Sequence, residues 1–330
     1  MEHFKTMAID AVDNIEVTAR EALGLTELRP GQRDAIASVV AGRDTLVVMP
    51  TGAGKSAIYQ TAGVLLRGLT VVVSPLIALQ QDQVAALAEG NAGRAALLNS
   101  TLTRAGHADI LRELTHGHIQ FLFLAPEQLA NDDTLAHLQA ANPALIVIDE
   151  AHCISDWGHD FRPDYRRIGR MLDLLPAGVP VLGTTATAND RVVADVQAQF
   201  GDGLLTLRGP LARQSLVLDT LRMPSQPDRL AWMATVIPTL PGTGIVYCLT
   251  VADTERVAGW LSANGIEAAA YSGETDPELR IQLEERLLAN ELKVLVATSA
   301  LGMGYDKPDL AFVIHYQSPG SPIAYYQQVG

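Results

Sequence analysis

An apolar, β-branched run, Thr45–Met49, passes through Pro50-Thr51-Gly52-Ala53-Gly54 directly into Lys55-Ser56. This junction limits the folds open to the chain more than any other feature. A strand that breaks into a glycine-rich loop and resumes as a helix belongs to a βαβ unit, with the loop at the strand's carboxyl end. Gly52 and Gly54 permit the tight turn and let backbone N–H groups approach an anion. Lys55 adds a point charge, Ser56 a hydroxyl, and the helix starting there aims its positive dipole end the same way. The strict phosphate-loop pattern is missed by one residue, because Met49 stands where glycine or alanine is usual.

Further apolar runs recur with helical stretches between them: Thr70–Ser74, Ile119–Leu124, Ala144–Asp149 and Val179–Thr184. Their spacing predicts a parallel sheet covered on both faces. A second series follows at Gly244–Cys248, Glu267–Tyr271, Leu292–Ala297 and Leu310–His315. Within it a helix is expected over Pro277–Asn290, with Leu279, Leu283, Leu287 and Leu288 marking one apolar face. Glycines, prolines and a lone strand-like stretch at Ser215–Leu221 separate the two series. The expectation is two α/β lobes, residues 1–205 and 228–330, joined by a linker over 206–227.

Asp149-Glu150-Ala151-His152 ends the strand expected at Ala144–Asp149, which brings its carboxylates to the sheet edge where open α/β sheets bind ligands. Alone, such a pair is also a common helix cap. With the glycine loop upstream it completes a site for nucleoside triphosphate and Mg²⁺: Ser56 and Asp149 hold the metal, and Glu150 takes a proton from the attacking water.

The 330 residues are 48% hydrophobic, enough for packed cores. No apolar run reaches the roughly 18 residues of a membrane span, and the first residues lack a signal region, so the sequence reads as soluble and cytoplasmic. Two cysteines, Cys153 and Cys248, exclude a disulfide framework and a four-cysteine zinc site. A net charge of −13 argues mildly against nucleic acid, yet a local groove can be basic on an acidic protein. Arg162, Arg166, Arg167 and Arg170 form the one dense basic stretch, which reads equally well as a solvated helix face.

Several blocks point to one family. They are Leu28-Arg29-Pro30-Gly31-Gln32, Ser74-Pro75-Leu76-Ile77-Ala78-Leu79 with Asp82-Gln83, Ala125-Pro126-Glu127, and Thr185-Ala186-Thr187-Ala188. The most discriminating runs from Asp149 through Cys153-Ile154-Ser155-Asp156-Trp157-Gly158-His159-Asp160-Phe161-Arg162-Pro163. Ala297-Thr298-Ser299-Ala300-Leu301-Gly302-Met303-Gly304 and Asp306-Lys307-Pro308 follow in the second lobe. Over nearly its whole length the chain resembles the RecQ-type DNA helicases of helicase superfamily 2, with a DEAH box.

The resemblance implies an α/β fold of two RecA-like lobes, each a mainly parallel β-sheet flanked by helices, in the manner of P-loop NTPases. It implies ATP and Mg²⁺ between the lobes, single-stranded and forked DNA as partner, and 3′-to-5′ movement with unwinding in repair or recombination. In a bacterium it implies association with the nucleoid. Gln32 would read the adenine edge with Arg29 beside the ring, while Thr51, Gly52, Ala53, Gly54, Lys55 and Ser56 would wrap the phosphates. Asp306 would face the ribose or the ATP side of lobe two. Lys55, Asp149, Glu150 and His152 would carry hydrolysis, with His152, Thr185 and Thr187 coupling it to lobe movement.

On the DNA side, Trp157, His159, Phe161 and Arg162 look like the family's aromatic-rich loop, which senses single-stranded DNA. Ser74, Pro75, Gln83, Asn99 and Ser100 match positions that line the DNA backbone groove, and Thr298 and Ser299 match contacts from lobe two. Gln327-x-x-Gly330 matches the opening of the family's last motif, whose later arginines reach the γ-phosphate. The chain is thus expected to be a fragment of a longer enzyme, with Ile323, Tyr325 and Tyr326 exposed at its end. Other readings are an ATP- and DNA-binding module impaired in catalysis, and an RNA helicase or double-strand translocase, against which the aromatic-rich loop speaks.

Overall fold

The computed structural model describes residues 12–75, 77–155, 162–176, 178–186, 188–201, 203–209, 216–301, 307 and 309–329. The chain divides into two compact units, Met1–Ala212 and Arg213–Gly330. In the first, helices α1 (Ile15–Leu23) and α2 (Gln32–Val40) precede strand β1 (Thr45–Val48). Alternation follows through α3 (Lys55–Leu66), β2 (Thr70–Val73), α4 (Ile77–Glu89), β3 (Ala95–Leu98), α5 (Arg104–Thr115), β4 (Phe121–Leu124), α6 (Asp132–Ala141) and β5 (Leu145–Ile148). The unit closes with α7 (Arg167–Leu174), β6 (Val181–Thr185), α8 (Asp190–Phe200) and β7 (Leu205–Arg208).

Among the described residues these strands make one parallel sheet in the order β3-β4-β2-β5-β6-β1-β7. The inner strands β1, β2, β4, β5 and β6 are buried along their whole length. Successive side chains alternate between faces, and helices cover both, so no position in these strands tolerates exposure to water. Val71, Val73, Ile146 and Ile148 enter one core cluster with Leu122 and Met171, while Val47, Val72 and Val147 enter the other with Ile36 and Ile58.

Two strands escape the sequence reading, and both are edges. Ala95-Ala96-Leu97-Leu98 contains no β-branched residue and is buried only at alternate positions, so it carries neither strand signal. β7 pairs with β1, matching Leu46 with Thr206 and Val47 with Leu207, so the first sheet runs on into the segment expected as linker. Conversely, residues 216–221 form no strand, and Val217 is 96% exposed.

The second unit contains α9 (Gln226–Val236), β8 (Gly244–Tyr247), α10 (Val251–Ala263), β9 (Ala268–Tyr271), α11 (Pro277–Leu288), β10 (Val294–Ala297), β11 (Phe312–His315) and α12 (Pro322–Gln328). Its strands pair in parallel in the order β11-β8-β10-β9. Ser225, Thr250, Asp276 and Ser321 each cap the helix that follows by accepting from its backbone N–H groups. On α11 only Leu283 and Leu287 are buried; Leu279 and Leu288 are about half exposed, so the expected four-leucine face is narrower. Tyr325 is half-buried rather than exposed, because its ring lies 5.1 Å from that of His315, which stacks on Tyr247 at 5.7 Å.

At the amino ends of this second sheet lies a polar cluster. The buried Lys307 ammonium donates to Asp309 Oδ1 (2.7 Å), Asn290 Oδ1 (2.9 Å) and the Leu288 carbonyl (3.3 Å). Asn290 also accepts from Thr243 and donates to Asp309. No helix among the described residues is long and apolar enough to cross a membrane.

Candidate active site

Strand order builds the site. β5 lies between β2 and β6, and β6 lies beside β1, so the carboxyl ends of four strands are neighbours. The register matches Val73 with Ile148 and Val48 with Thr185. The residue following each strand is thereby delivered to one edge: Ser74, Asp149 and Met49, with Thr184 and Thr185 closing β6.

The glycine loop has the form its residues demand. Gly52 and Gly54 both take φ 76°, a conformation side chains resist. Gly54 precedes α3, and no side chain caps that helix, so its first N–H groups face the loop. Lys55 is the first helical residue and Ser56, half-buried, the second. The Lys55 ammonium has a long 3.4 Å contact with the Met49 carbonyl. The departure at Met49 is also explained. Its buried side chain lies where Gly31 and Gly209 leave room, since a Cβ on Gly31 would come within 2.7 Å of Met49 Cε.

Arg29 and Gln32 reach the loop, but against its backbone rather than free for a base. The Gln32 amide donates to the carbonyls of Ala53 (2.9 Å) and Gly54 (2.8 Å) and accepts from Arg29 N (2.7 Å). Arg29 donates to the Gly52 carbonyl. A buried amide costs free energy unless its donors and acceptors are met, and here the loop meets them.

Asp149 is buried, 7% exposed. Thr184 donates to its Oδ1 at 2.6 Å and Ser74 to its Oδ2 at 3.4 Å. Burial and the adjacent Glu150 push its carboxyl above the usual range, against the pull of Thr184 and Lys55. A nearby cation would relieve this, and the residues present suit one: a buried carboxylate, a helix-start hydroxyl and an uncapped helix N-terminus. Glu150 stands in left-handed backbone, φ 48° and ψ 48°, which costs about 1 kcal/mol for a residue with a Cβ. Its Oε2 lies 3.2 Å from His152 Nδ1, which is also 3.0 Å from Thr185 Oγ1. Tyr165 is fully buried and donates its hydroxyl to the Asp149 carbonyl at 2.9 Å.

The residues expected to line a DNA groove divide. Ser100 is exposed, but Ser74 and Asn99 are buried and Gln83 is half-buried. Asn99 donates to Gln80 Oε1 (3.3 Å) and accepts from Thr101; Gln80 in turn donates to the Ser74 carbonyl (2.8 Å). Gln83 Oε1 accepts from Gln60 (2.7 Å) and Tyr59 (3.3 Å) on α3. These side chains brace the strand ends from within, because once buried they must be satisfied by protein. Arg162 donates to the Pro75 carbonyl at 3.2 Å, whereas Arg167 pairs with Asp164 and Arg170 with Asp132 on the surface. In the second unit Thr298 is half-buried and accepts from Ala300 N, and Ser299 is exposed. Trp157, His159, Phe161, Thr187 and Asp306 lie outside the described residues, as does the Ile323 side chain. Sequence reasoning missed Thr184, Tyr165 and Gln80. Only Gln80 left a signal, as a polar residue in step with Ile77, Val84 and Leu87 on one face of α4.

This constellation stands at one edge of a parallel sheet, and the chain belongs to the DEAD/DEAH box helicase family, which it matches over residues 29–196. Residues 233–330 match the helicase conserved C-terminal domain. Its relatives are RecQ-type. It is 37% identical to the probable ATP-dependent DNA helicase RecS of Bacillus subtilis over 96% of this chain and 64% of that protein. It is also 37% identical to that organism's ATP-dependent DNA helicase RecQ, over 93% of the chain and 52% of the relative. The chain thus spans about two thirds of the one and half of the other. Two solved structures share its fold of RecA-like lobes: helicase Lhr of Mycobacterium smegmatis (TM-score 0.70, 21% identity, 97% of this chain and 45% of that one) and Dbp5 of S. cerevisiae (TM-score 0.76, 16% identity, 96% and 82%).

Proposed function

We propose that this protein is the motor of an ATP-dependent DNA helicase, moving 3′ to 5′ along a single strand and unwinding duplex in repair or recombination. It would act in the cytoplasm, on the nucleoid if its source is bacterial. One observation carries the reading: the convergence on Asp149 of Thr184 from one neighbouring strand and Ser74 from the other, opposite the uncapped start of α3.

Bound Mg²⁺–ATP supplies the phosphoanhydride to be cleaved and the positive charge that offsets two adjacent carboxylates. The N–H groups at the start of α3 receive phosphate oxygens, and Lys55 adds a mobile charge beside them. Ser56 and Asp149 would hold Mg²⁺, and Thr184 and Ser74 fix Asp149 for that role. Glu150 orients and deprotonates the attacking water, and His152 links it to Thr185 at the end of β6. Arg29 and Gln32 hold the loop carbonyls, and purine recognition would require Gln32 to exchange those bonds for the base.

One support favours DNA over RNA: relatives at 37% identity are named DNA helicases. The test is steady-state ATP hydrolysis by the purified protein with oligo-dT, with RNA of equal length, or with neither. Oligo-dT should accelerate hydrolysis and RNA should not. Glu150→Gln should lower the stimulated rate by on the order of 10²–10⁴ while nucleotide still binds. Equal stimulation by RNA would remove the DNA assignment.

A further inference from the structure

Tyr165 has no place in the mechanism above, yet it is one of the largest fully buried side chains in the protein and its one polar atom is aimed at the site. The acceptor is the carbonyl of Asp149, which belongs to the peptide joining Asp149 to Glu150. Rotation of that peptide sets the backbone angle at Glu150, a residue held in left-handed backbone at φ 48°. Cys153 N donates to the next carbonyl, that of Glu150, at 2.9 Å. The two bonds fix consecutive peptides around the carboxylate placed as general base.

The tyrosine's segment begins at the half-buried Arg162. Tyr165 N donates to the Arg162 carbonyl at 2.9 Å, Arg162 N donates to the Cys153 carbonyl at 3.1 Å, and the Arg162 guanidinium rests on the Pro75 carbonyl. Arg162 is therefore joined to the Asp149–Glu150 peptide by one backbone hydrogen bond and the Tyr165 hydroxyl, and to the Glu150 carbonyl by two backbone hydrogen bonds through Cys153. We propose that the Tyr165 hydroxyl is a positioning group: it holds the Asp149–Glu150 peptide in its hydrolytic setting and transmits to it the engagement of a single strand beside Arg162. The proposal rests on the helicase reading and adds the route by which DNA changes the rate.

Tyr165→Phe tests it, because the ring still fills its place and only the hydroxyl is lost. ATP hydrolysis with and without oligo-dT, oligo-dT binding by fluorescence anisotropy and thermal unfolding are measured on both proteins. The variant should bind oligo-dT and show a KM for ATP within about twofold of wild type, while its stimulated kcat falls about tenfold, as expected when a reacting group is displaced slightly. A purely structural tyrosine would lower thermal stability and leave the ratio of stimulated to basal kcat unchanged; that result overturns the proposal, as does wild-type stimulation in the variant. Wild-type hydrolysis indifferent to oligo-dT would instead overturn the helicase reading itself, and this inference with it. If Tyr165→Phe is too unstable to purify, fluorotyrosine at this position keeps the hydroxyl. Its fluorine resonance should move when oligo-dT binds, and a resonance that stays fixed overturns the proposal.

Discussion

Two carboxylates, one in each unit, are treated in opposite ways. Asp149, at the carboxyl edge of the first sheet, is buried beside Glu150 and has its carboxyl pushed up. Asp309, near the amino edge of the second, is exposed and has its carboxyl pulled down by Lys307 and Asn290. A parallel sheet with covering helices surrounds both, so fold class does not explain the difference. The disfavoured charge of Asp149 suits a place that receives a cation, whereas that of Asp309 is already matched within the protein by Lys307. Substitutions in the first unit's cluster should therefore change turnover more than stability, and those in the second unit's the reverse.

The largest expected effect is at Lys55. Lys55→Ala should lower ATP hydrolysis by on the order of 10²–10³ or more, with a thermal midpoint near that of wild type, since the ammonium makes one long contact within the protein. Hydrolysis near the wild-type rate would remove the first unit's claim to be the chemical one. Next comes Lys307→Met. It removes three bonds from a buried ammonium and should cost about 1–3 kcal/mol in urea unfolding followed by tryptophan fluorescence. Two of the three tryptophans, Trp232 and Trp260, lie in the second unit, so the signal reports mainly there. An unchanged midpoint would break the contrast from the other side.

The smallest effect concerns His315. Burial lowers its pKa, although its bond to Gln328 opposes the shift. A depressed pKa means the folded state prefers neutral imidazole. The associated stability is complete above the unfolded value of about 6.5 and is lost as pH falls through the folded value. The second unit's urea midpoint should drift downward below about pH 6.5, and His315→Gln should flatten the drift.

Much of this was legible without coordinates. The first sheet's inner strands announced themselves because burial on both faces demands continuous apolar runs, whereas the edge β3 has no β-branched residue and the edge β7 lies at the start of the glycine-bounded stretch read as linker. Lys55, Ser56, Asp149 and Glu150 were readable because their chemistry lies in local order along the chain. Asn99 and Gln83 were assigned to a groove, and the structure adds partners within the protein, Gln80 for Asn99 and Gln60 and Tyr59 for Gln83, since sequence gives a polar residue's identity but not its partner.

By itself, then, the sequence determined the alternation of strand and helix, the glycine loop and the identity of the acidic pair, all properties of neighbouring residues. Tertiary structure alone decided that Ser74, 75 residues away, and Thr184, 35 away, would grip Asp149, and that Tyr165 would bond its carbonyl. The physical reason is that such proximities depend on which strands lie side by side. Strand order is a result of long-range packing, and no local period encodes it.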